Sequence, residues 1–193
     1  MKILGINGSP RRKGNSHYLM TLFMDKMAAR GHDTRVMDAT RMEVTRCIGC
    51  GNCEKTGNCV FTEDDFTTLF LPAVLEADIV VFSSPVYFYG FPADIKALID
   101  RIQVLWSRKY RLKTLGLEGR ERKGVLLAVG ATSGKDLFSG MEQTARYCFD
   151  AAGIDYAGAL CYRGIDGAGA IADHPGIDED VEQMVKSLCS GSK

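Results

Sequence analysis

The chain has 193 residues, 46% of them hydrophobic, which is enough for one domain with a substantial core and short for two. Its 24 Lys and Arg balance 24 Asp and Glu, so the charge gives no indication of nucleic-acid binding or of a charged membrane surface. No apolar run approaches the roughly 18 residues of a membrane span, and we expect a cytoplasmic protein whose partners include no nucleic acid and no membrane.

Short apolar runs alternate with helical patterns along the chain. The five predicted strands are residues 2–8, 34–40, 78–85, 124–131 and 156–162. The predicted helices are residues 15–31, 64–77 with a kink at Pro72, 93–110 and 140–153. This alternation predicts a single α/β domain over residues 1–193, with a doubly wound five-stranded parallel sheet that binds ligands at the carboxyl ends of its strands. A cysteine-rich loop insertion at about residues 45–62 follows strand 2, and a flexible tail at about residues 190–193 ends the chain.

The loop after the first predicted strand, GSPRRKGNS, has the composition of an anion-binding loop. Small residues and cations precede a helix N-terminus, where amide N–H groups and the helix dipole favour a phosphate. Ser9, Asn15 and Ser16 offer side-chain hydrogen bonds, and Arg11 or Arg12 offers a charge-assisted one. Gly14 is followed by Asn15 and Ser16, where a Walker A motif needs Lys and then Ser or Thr, and the spaced glycines of the dinucleotide fingerprint are missing, so the loop favours a monophosphate. A polar loop in which Asn15 or Ser16 only caps the helix is the alternative.

The loop after the third predicted strand, SSPVYFYGFP, places aromatic side chains at the same edge of the sheet. A flat heteroaromatic ligand whose phosphate occupies the first loop would be enclosed by this surface. The alternative is that the aromatic residues pack beneath the loop or in a subunit interface. The loop GATSG, residues 130–134, follows the fourth strand and lies in the same layer. Three such loops at one edge predict a mononucleotide pocket.

The segments GINGSPRRKGNS and SSPVYFYGFPADIKALIDR, with the third loop, resemble the flavodoxin-like NADPH-dependent FMN reductase superfamily across nearly the whole chain. With CIGCGNC and a fourth cysteine between the second strand and second helix, the chain resembles in particular the iron-sulfur flavoproteins of anaerobic microbes. The resemblance implies FMN as the cofactor. It implies a phosphate site around Ser9, Arg11, Asn15 and Ser16, a ring site against Pro85, Val86, Tyr87 and Phe88, and ring or ribityl contacts from Ala131 and Thr132.

The segment at residues 45–62, the cysteine loop, holds four of the seven cysteines: Cys47, Cys50, Cys53 and Cys59. In a reducing cytosol, this grouping indicates metal ligands rather than disulfides. Two, two and five residues separate the four, so a compact loop can wrap four thiolates around one [4Fe–4S] cluster. A Cys₄ zinc site, or free thiols, is the alternative. We expect Cys148, Cys161 and Cys189 to be buried or incidental thiols.

The two predicted cofactors indicate a flavin-dependent oxidoreductase that requires no catalytic acid or base. A cluster carries one electron and a flavin one or two, so the pair would join one-electron carriers to two-electron substrates. We expect electrons to pass from the cluster to FMN and to a small-molecule acceptor. The resemblance implies a ferredoxin-like donor and a homo-oligomer, a dimer or a tetramer. The alternatives are a cluster-less FMN/quinone oxidoreductase that takes hydride from NAD(P)H, and a non-enzymatic electron carrier or zinc-stabilised module.

Eight basic residues and only two acidic ones lie between Arg101 and Lys123. Such a patch would attract an acidic ferredoxin or the phosphates of a nicotinamide nucleotide. A charge-rich helix end and loop is more typical of a solvated face, and that is our expectation here.

Overall fold

Five parallel strands form one sheet in the computed structural model, which describes residues 1–190. They are β1 (Lys2–Asn7), β2 (Asp33–Asp38), β3 (Ile79–Pro85), β4 (Lys123–Gly130) and β5 (Asp155–Arg163). The strand order is β2-β1-β3-β4-β5, so the chain changes direction across the sheet between β1 and β3. The predicted doubly wound, flavodoxin-like sheet is confirmed. The predicted tail at about residues 190–193 lies, beyond Ser190, outside the described residues.

Helices cover both faces of the sheet. They are α1 (Asn15–Ala28), α2 (Asn52–Thr56), α3 (Leu71–Glu76), α4 (Ala93–Arg101), α5 (Gln103–Trp106), α6 (Ser139–Ala151) and α7 (Ile177–Cys189). Alternate strand residues point to opposite faces: Val80 and Phe82 pack with α3 to α6, while Ile79 and Val81 pack with α1 and α7. Within residues 1–190, no helix has the length and apolar character needed to cross a bilayer.

Two predicted helices contain irregular turns. The kink predicted at Pro72 corresponds to a π-helical turn at Phe66–Phe70, immediately before α3. Proline has no N–H for the carbonyl four residues earlier, and the N–H of Leu71 donates to Phe66, five residues back. The helix predicted at 93–110 consists of α4, α5 and a π-helical turn at Ser107–Arg111.

The last helix, α7, was not predicted from the sequence, although the sequence contains its pattern. Its buried residues, Ile177, Val181, Val185 and Leu188, recur at helical spacing. Acidic residues occupy its first turn, where they complement the helix dipole. The helix packs on α1 and completes the second face of the sheet.

The basic residues between Arg101 and Lys123 are not simply a solvated face, which corrects the expectation for two of them. Arg101 is 2% exposed and Arg122 is 1% exposed. Arg122 donates to the carbonyl oxygens of Ala77 at 2.9 Å and Ala152 at 2.7 Å, and to that of Val74. Burial lowers the pKa of Arg122 to about 10. This side chain, immediately before β4, therefore joins the C-terminal ends of α3 and α6.

Candidate active site

A cavity of about 140 Å³ lies at the carboxyl ends of β1, β3 and β4. Its lining includes eight predicted cofactor-binding residues: Ser9, Arg11, Asn15, Ser16, Pro85, Val86, Tyr87 and Ala131. Phe88 and Thr132 do not line it. Pockets that enclose a whole ligand measure roughly 300 Å³ or more. The cavity is therefore the size of an anchoring site for one end of a mononucleotide, and is too small to enclose a whole one.

The loop after β1 folds back on itself beside the N-terminus of α1. The N–H of Arg11 donates to Ser9 Oγ at 3.2 Å, and the N–H of Gly14 donates to the Arg11 carbonyl at 3.0 Å. A Cβ at Gly14 would lie 3.0 Å from Ser9 Oγ and 3.1 Å from the Arg11 carbonyl oxygen, so any larger residue would push these groups apart by a few tenths of an ångström. No side chain caps the first turn of α1. Its amide N–H groups are therefore available to an anion, and the anion-binding role expected from the loop's composition stays a prediction.

Asn15 connects this loop to a second wall of the cavity. Its Nδ2 donates to the Gly167 carbonyl at 2.8 Å, and its Oδ1 accepts from the N–H of Ile171 at 3.3 Å. The segment it holds follows β5 and contributes Ile165, Asp166 and Ala168 to the lining. These residues were missed in the sequence, although RGIDGAG follows the fifth predicted strand and so belongs to the same edge. Asn15 therefore lines the cavity and also connects two of its walls.

The aromatic loop after β3 forms a tight two-residue turn. Tyr87 and Gly90 exchange two backbone hydrogen bonds of 2.9 Å each, and Phe88 and Tyr89 between them have φ of 49° and 62°. Left-handed backbone at two aromatic residues costs about 1–3 kcal/mol each and persists only where the surroundings enforce it. Tyr87 lines the cavity, whereas the Phe88 side chain is fully exposed. The turn therefore presents aromatic surface at the mouth of the cavity.

All four cysteines of the cysteine loop line a second cavity, of about 230 Å³. Cys47 and Cys50 are exposed, and Cys53 and Cys59 are half-buried. Gly49, Gly51 and Gly57 have φ of 65°, 71° and 73°, which gives the loop its turns. Among residues 1–190, no group of three or more His, Cys, Asp or Glu side chains is arranged to hold a metal ion. The donor chemistry thus suits a four-thiolate site, while the thiols share a cavity without forming a metal-binding group.

Arg101 lines the cysteine cavity and joins the two ends of the cysteine loop. Its Nη1 donates to the Thr45 carbonyl at 2.7 Å and to Asp64 Oδ2 at 2.6 Å, and its Nη2 donates to the Phe61 carbonyl at 3.2 Å. Burial of Asp64 acts to raise its pKa. The hydrogen bonds from Arg101 and from the N–H groups of Thr45 and Thr67 outweigh burial, so the pKa of Asp64 lies below its ordinary value.

Two further arginines reach the cysteine loop from the same helical segment. Arg108 Nε donates to the Gly57 carbonyl at 2.7 Å, and its Nη2 donates to Asn58 Oδ1 at 3.1 Å. Arg111 pairs with Glu54 on α2. Both arginines belong to the basic stretch between Arg101 and Lys123, for which the sequence predicted no contacts. Their helical spacing was visible, but the loop they meet lies about fifty residues earlier in the chain.

The chain is similar to characterised families in sequence and in structure. The profile of the NADPH-dependent FMN reductase family matches residues 1–144. An iron-sulfur flavoprotein of Methanocaldococcus jannaschii is 36% identical over 132 residues, covering 68% of this chain and 63% of that protein. An iron-sulfur flavoprotein of Methanosarcina thermophila is 31% identical over 150 residues, covering 78% of this chain and 72% of that protein. The chain thus spans less than two thirds of the first relative.

A solved structure shows the same fold at low sequence identity. The apo form of an NADH:FMN oxidoreductase has a TM-score of 0.68 and is 13% identical, covering 100% of this chain and 90% of the other. At that identity, the likeness concerns the fold alone.

Proposed function

We propose that this chain, which belongs to the NADPH-dependent FMN reductase family and, within it, to the iron-sulfur flavoproteins, is an FMN-dependent oxidoreductase. In this proposal, it passes electrons between a [4Fe–4S] cluster and FMN and on to a small acceptor. The observation that carries the FMN part is the single cavity lined by eight of the ten residues predicted to bind the cofactor. The gathering of four cysteines at a second cavity supports the cluster part.

The residues of the first cavity would hold FMN by its phosphate end. The uncapped N–H groups of α1 and the cation of Arg11 favour an anion, and Gly14 leaves room for the loop to fold around it. Tyr87 and the rest of the aromatic turn supply apolar surface beside the anchor. When bound, FMN would supply one- and two-electron chemistry and the cluster one-electron chemistry. The chain itself then binds, orients and shields, and no proton-transfer residue is required of it.

The electron donor and the quaternary structure are further parts of the proposal. Family membership is consistent with NAD(P)H as donor, and the resemblance to iron-sulfur flavoproteins implies a ferredoxin-like protein instead. We propose that the protein works in the cytoplasm as a homo-oligomer, a dimer or a tetramer, and acts on a small-molecule acceptor.

The test is the absorption spectrum, with iron, sulfide and FMN contents, of protein purified under strict anaerobiosis. We expect one FMN, four irons and four sulfides per chain, with both chromophores bleaching on stepwise reduction. Cys59→Ser should lose iron and sulfide and keep FMN, whereas the matched Cys148→Ser should keep all three. Protein that contains no FMN and takes up none on reconstitution would overturn the proposal.

A cluster-less NAD(P)H-dependent FMN or quinone oxidoreductase is the second candidate function. One observation favours it: within residues 1–190, the thiols do not form a metal-binding group although they share a cavity. Rapid FMN reduction by NADPH, with no iron bound after anaerobic reconstitution with iron and sulfide, would establish this candidate. Stoichiometric zinc without a visible chromophore would instead indicate the zinc-stabilised module.

A further inference from the structure

One helical segment holds the cysteine loop through arginines for which the proposed function gives no role. Arg101 and Arg108 lie seven residues apart on the segment 93–111, and both side chains contact the cysteine loop. We propose that these two residues form an arginine clamp that keeps the metal-free cysteine loop closed, with its thiols around one cavity, so that a metal centre is loaded and retained. The purpose of the clamp rests on the proposed function, but loop closure itself is measurable without metal.

Arg101 acts at the base of the loop. It donates to the carbonyl of Thr45, two residues before Cys47, and to that of Phe61, two residues after Cys59. One buried guanidinium thus bridges the two points where the loop leaves and rejoins the core. Asp64 provides the countercharge, and the Phe66 ring centroid lies 4.3 Å from the guanidinium carbon. These contacts hold the guanidinium in one orientation.

One donor of Arg101 remains unused. Its Nε is buried and has no hydrogen-bond partner in the part of the chain that the structure describes. A buried donor left unpaired costs about 1–3 kcal/mol. The contacts of Nη1 and Nη2 with Thr45, Asp64 and Phe61 therefore hold Arg101 in place against this cost.

Arg108 acts in the middle of the loop, between Cys53 and Cys59. It holds the Gly57 carbonyl at 2.7 Å, where the left-handed Gly57 ends α2. Across residues 1–190, no carboxylate lies within ion-pair distance of Arg108, so its charge is not neutralised by a neighbour. The pair of Arg111 with Glu54 is exposed, contributes little, and is not part of the clamp.

The same loop contains matched control cations. Arg46, next to Cys47, and Lys55, two residues after Cys53, are both exposed. Neither side chain makes a hydrogen bond or an ion pair to any residue that the structure describes. Replacing either with Gln removes one positive charge from the loop without removing a clamp contact.

The first measurement is hydrogen exchange of the metal-free protein, read at the hydrogen-bonded amides of Thr45, Glu54 and Gly57. We expect exchange about tenfold or more faster in Arg101→Gln and in Arg108→Gln, and wild-type exchange in Arg46→Gln. Arg101→Lys should resemble Arg101→Gln, because lysine keeps the charge but lacks the planar fork that spans both loop ends. Equal loop exchange in wild type, Arg101→Gln and Arg108→Gln would overturn the clamp. If Arg101→Gln fails to fold, hydrogen exchange in Arg108→Gln, at a half-buried residue, tests the clamp.

The second measurement is iron release to a chelator after anaerobic reconstitution. We expect release about 10- to 100-fold faster from the two clamp variants than from wild type and Arg46→Gln, with FMN content unchanged. If wild-type protein takes up no iron, the proposed cluster is wrong. Hydrogen exchange of the loop amides is then the only test of the clamp. Iron that wild type binds, and that both clamp variants release at the wild-type rate, would overturn the clamp while leaving the cluster intact.

Discussion

At the scale of single residues, the seven cysteines range from exposed to fully buried. Burial raises the pKa of Cys148 and of Cys161 to about 12, so both thiols stay protonated near neutral pH. Cys47 and Cys50 are exposed at the surface of the cysteine loop. Reactivity follows thiolate content and access, so the cysteines should separate clearly in a labelling experiment.

We predict that a thiol-alkylating reagent at pH 7.5 modifies Cys47 and Cys50 first in the metal-free protein and leaves Cys148 unmodified until the protein unfolds. Peptide mass mapping over time measures the order. After reconstitution with iron and sulfide, the four loop cysteines should become protected while the labelling of Cys161 and Cys189 is unchanged. Labelling of Cys148 as fast as Cys47 in folded protein would contradict the burial described above.

At the scale of secondary-structure elements, Arg122 ties two helix ends to the sheet. Its three acceptors are backbone carbonyls at or beyond the ends of α3 and α6, which have no intrahelical partner of their own. Arg120 contacts neighbouring carbonyls, those of Leu75 and Glu76, but it is about one-third exposed. Water replaces the donors of an exposed side chain and not those of a buried one.

We predict that Arg122→Met lowers the free energy of unfolding by about 3 kcal/mol or more, because three buried carbonyls lose their donor. Arg120→Met should cost about 1 kcal/mol or less. Urea denaturation at pH 7 measures both variants. If Arg122→Met and Arg120→Met lower the free energy of unfolding equally, the burial of the arginine does not determine the cost of replacing it.

The ion pair of Asp64 with Arg101 gives a prediction about pH. The native pKa of Asp64 is below its unfolded value, so its contribution is present above about pH 3.9 and is lost as the pH falls through the native pKa. Asp64→Asn leaves Arg101 without its countercharge and should cost about 3 kcal/mol at pH 7. The difference from wild type should shrink as the pH is lowered below 4, because wild-type Asp64 then also becomes neutral.

Urea denaturation across this pH range provides the measurement. The exposed Asp94 on α4 supplies the control, since Asp94→Asn should change stability little at either pH. A cost of Asp64→Asn that stays constant from pH 7 to pH 3 would contradict the ionic nature of the contact.

At the scale of the whole molecule, the proposed FMN site joins the ends of three strands, α1 and the segment after β5. A ligand bound there should therefore stabilise the entire domain. FMN at a hundred times its dissociation constant should contribute about 2.7 kcal/mol, or about 5–10 °C in Tm for a domain of this size. Differential scanning fluorimetry measures the shift, and one transition is expected for a single domain.

Riboflavin is the control ligand for this experiment. It has the same ring and lacks the phosphate, so it should raise Tm by less than half as much at equal concentration. If riboflavin and FMN shift Tm equally, the loop after β1 does not bind the phosphate.

Local patterns in the sequence were sufficient for the sheet. The five predicted strands correspond to β1 to β5 within about two residues. Burial on both faces explains the apolar runs of β1, β3 and β4, whereas the edge strands β2 and β5 are partly exposed. The loops after β1 and β3 were likewise recognisable from composition, and parallel strands bring their carboxyl ends to one edge. The helix α7 had an equally local pattern, in Val181 and Val185 among others, and was missed without any physical obstacle.

The sequence by itself determined the strands, the anion-binding loop and the grouping of four cysteines, because each depends on neighbouring residues. Only the tertiary structure decided which distant residues meet. Asn15 contacts Gly167, and Arg101 contacts Thr45 and Phe61, across separations of 152, 56 and 40 residues. Such contacts depend on how the helices pack on the sheet, and no local periodicity encodes that packing. For this reason, a charge pattern typical of a solvated face contains two buried arginines that hold the molecule together.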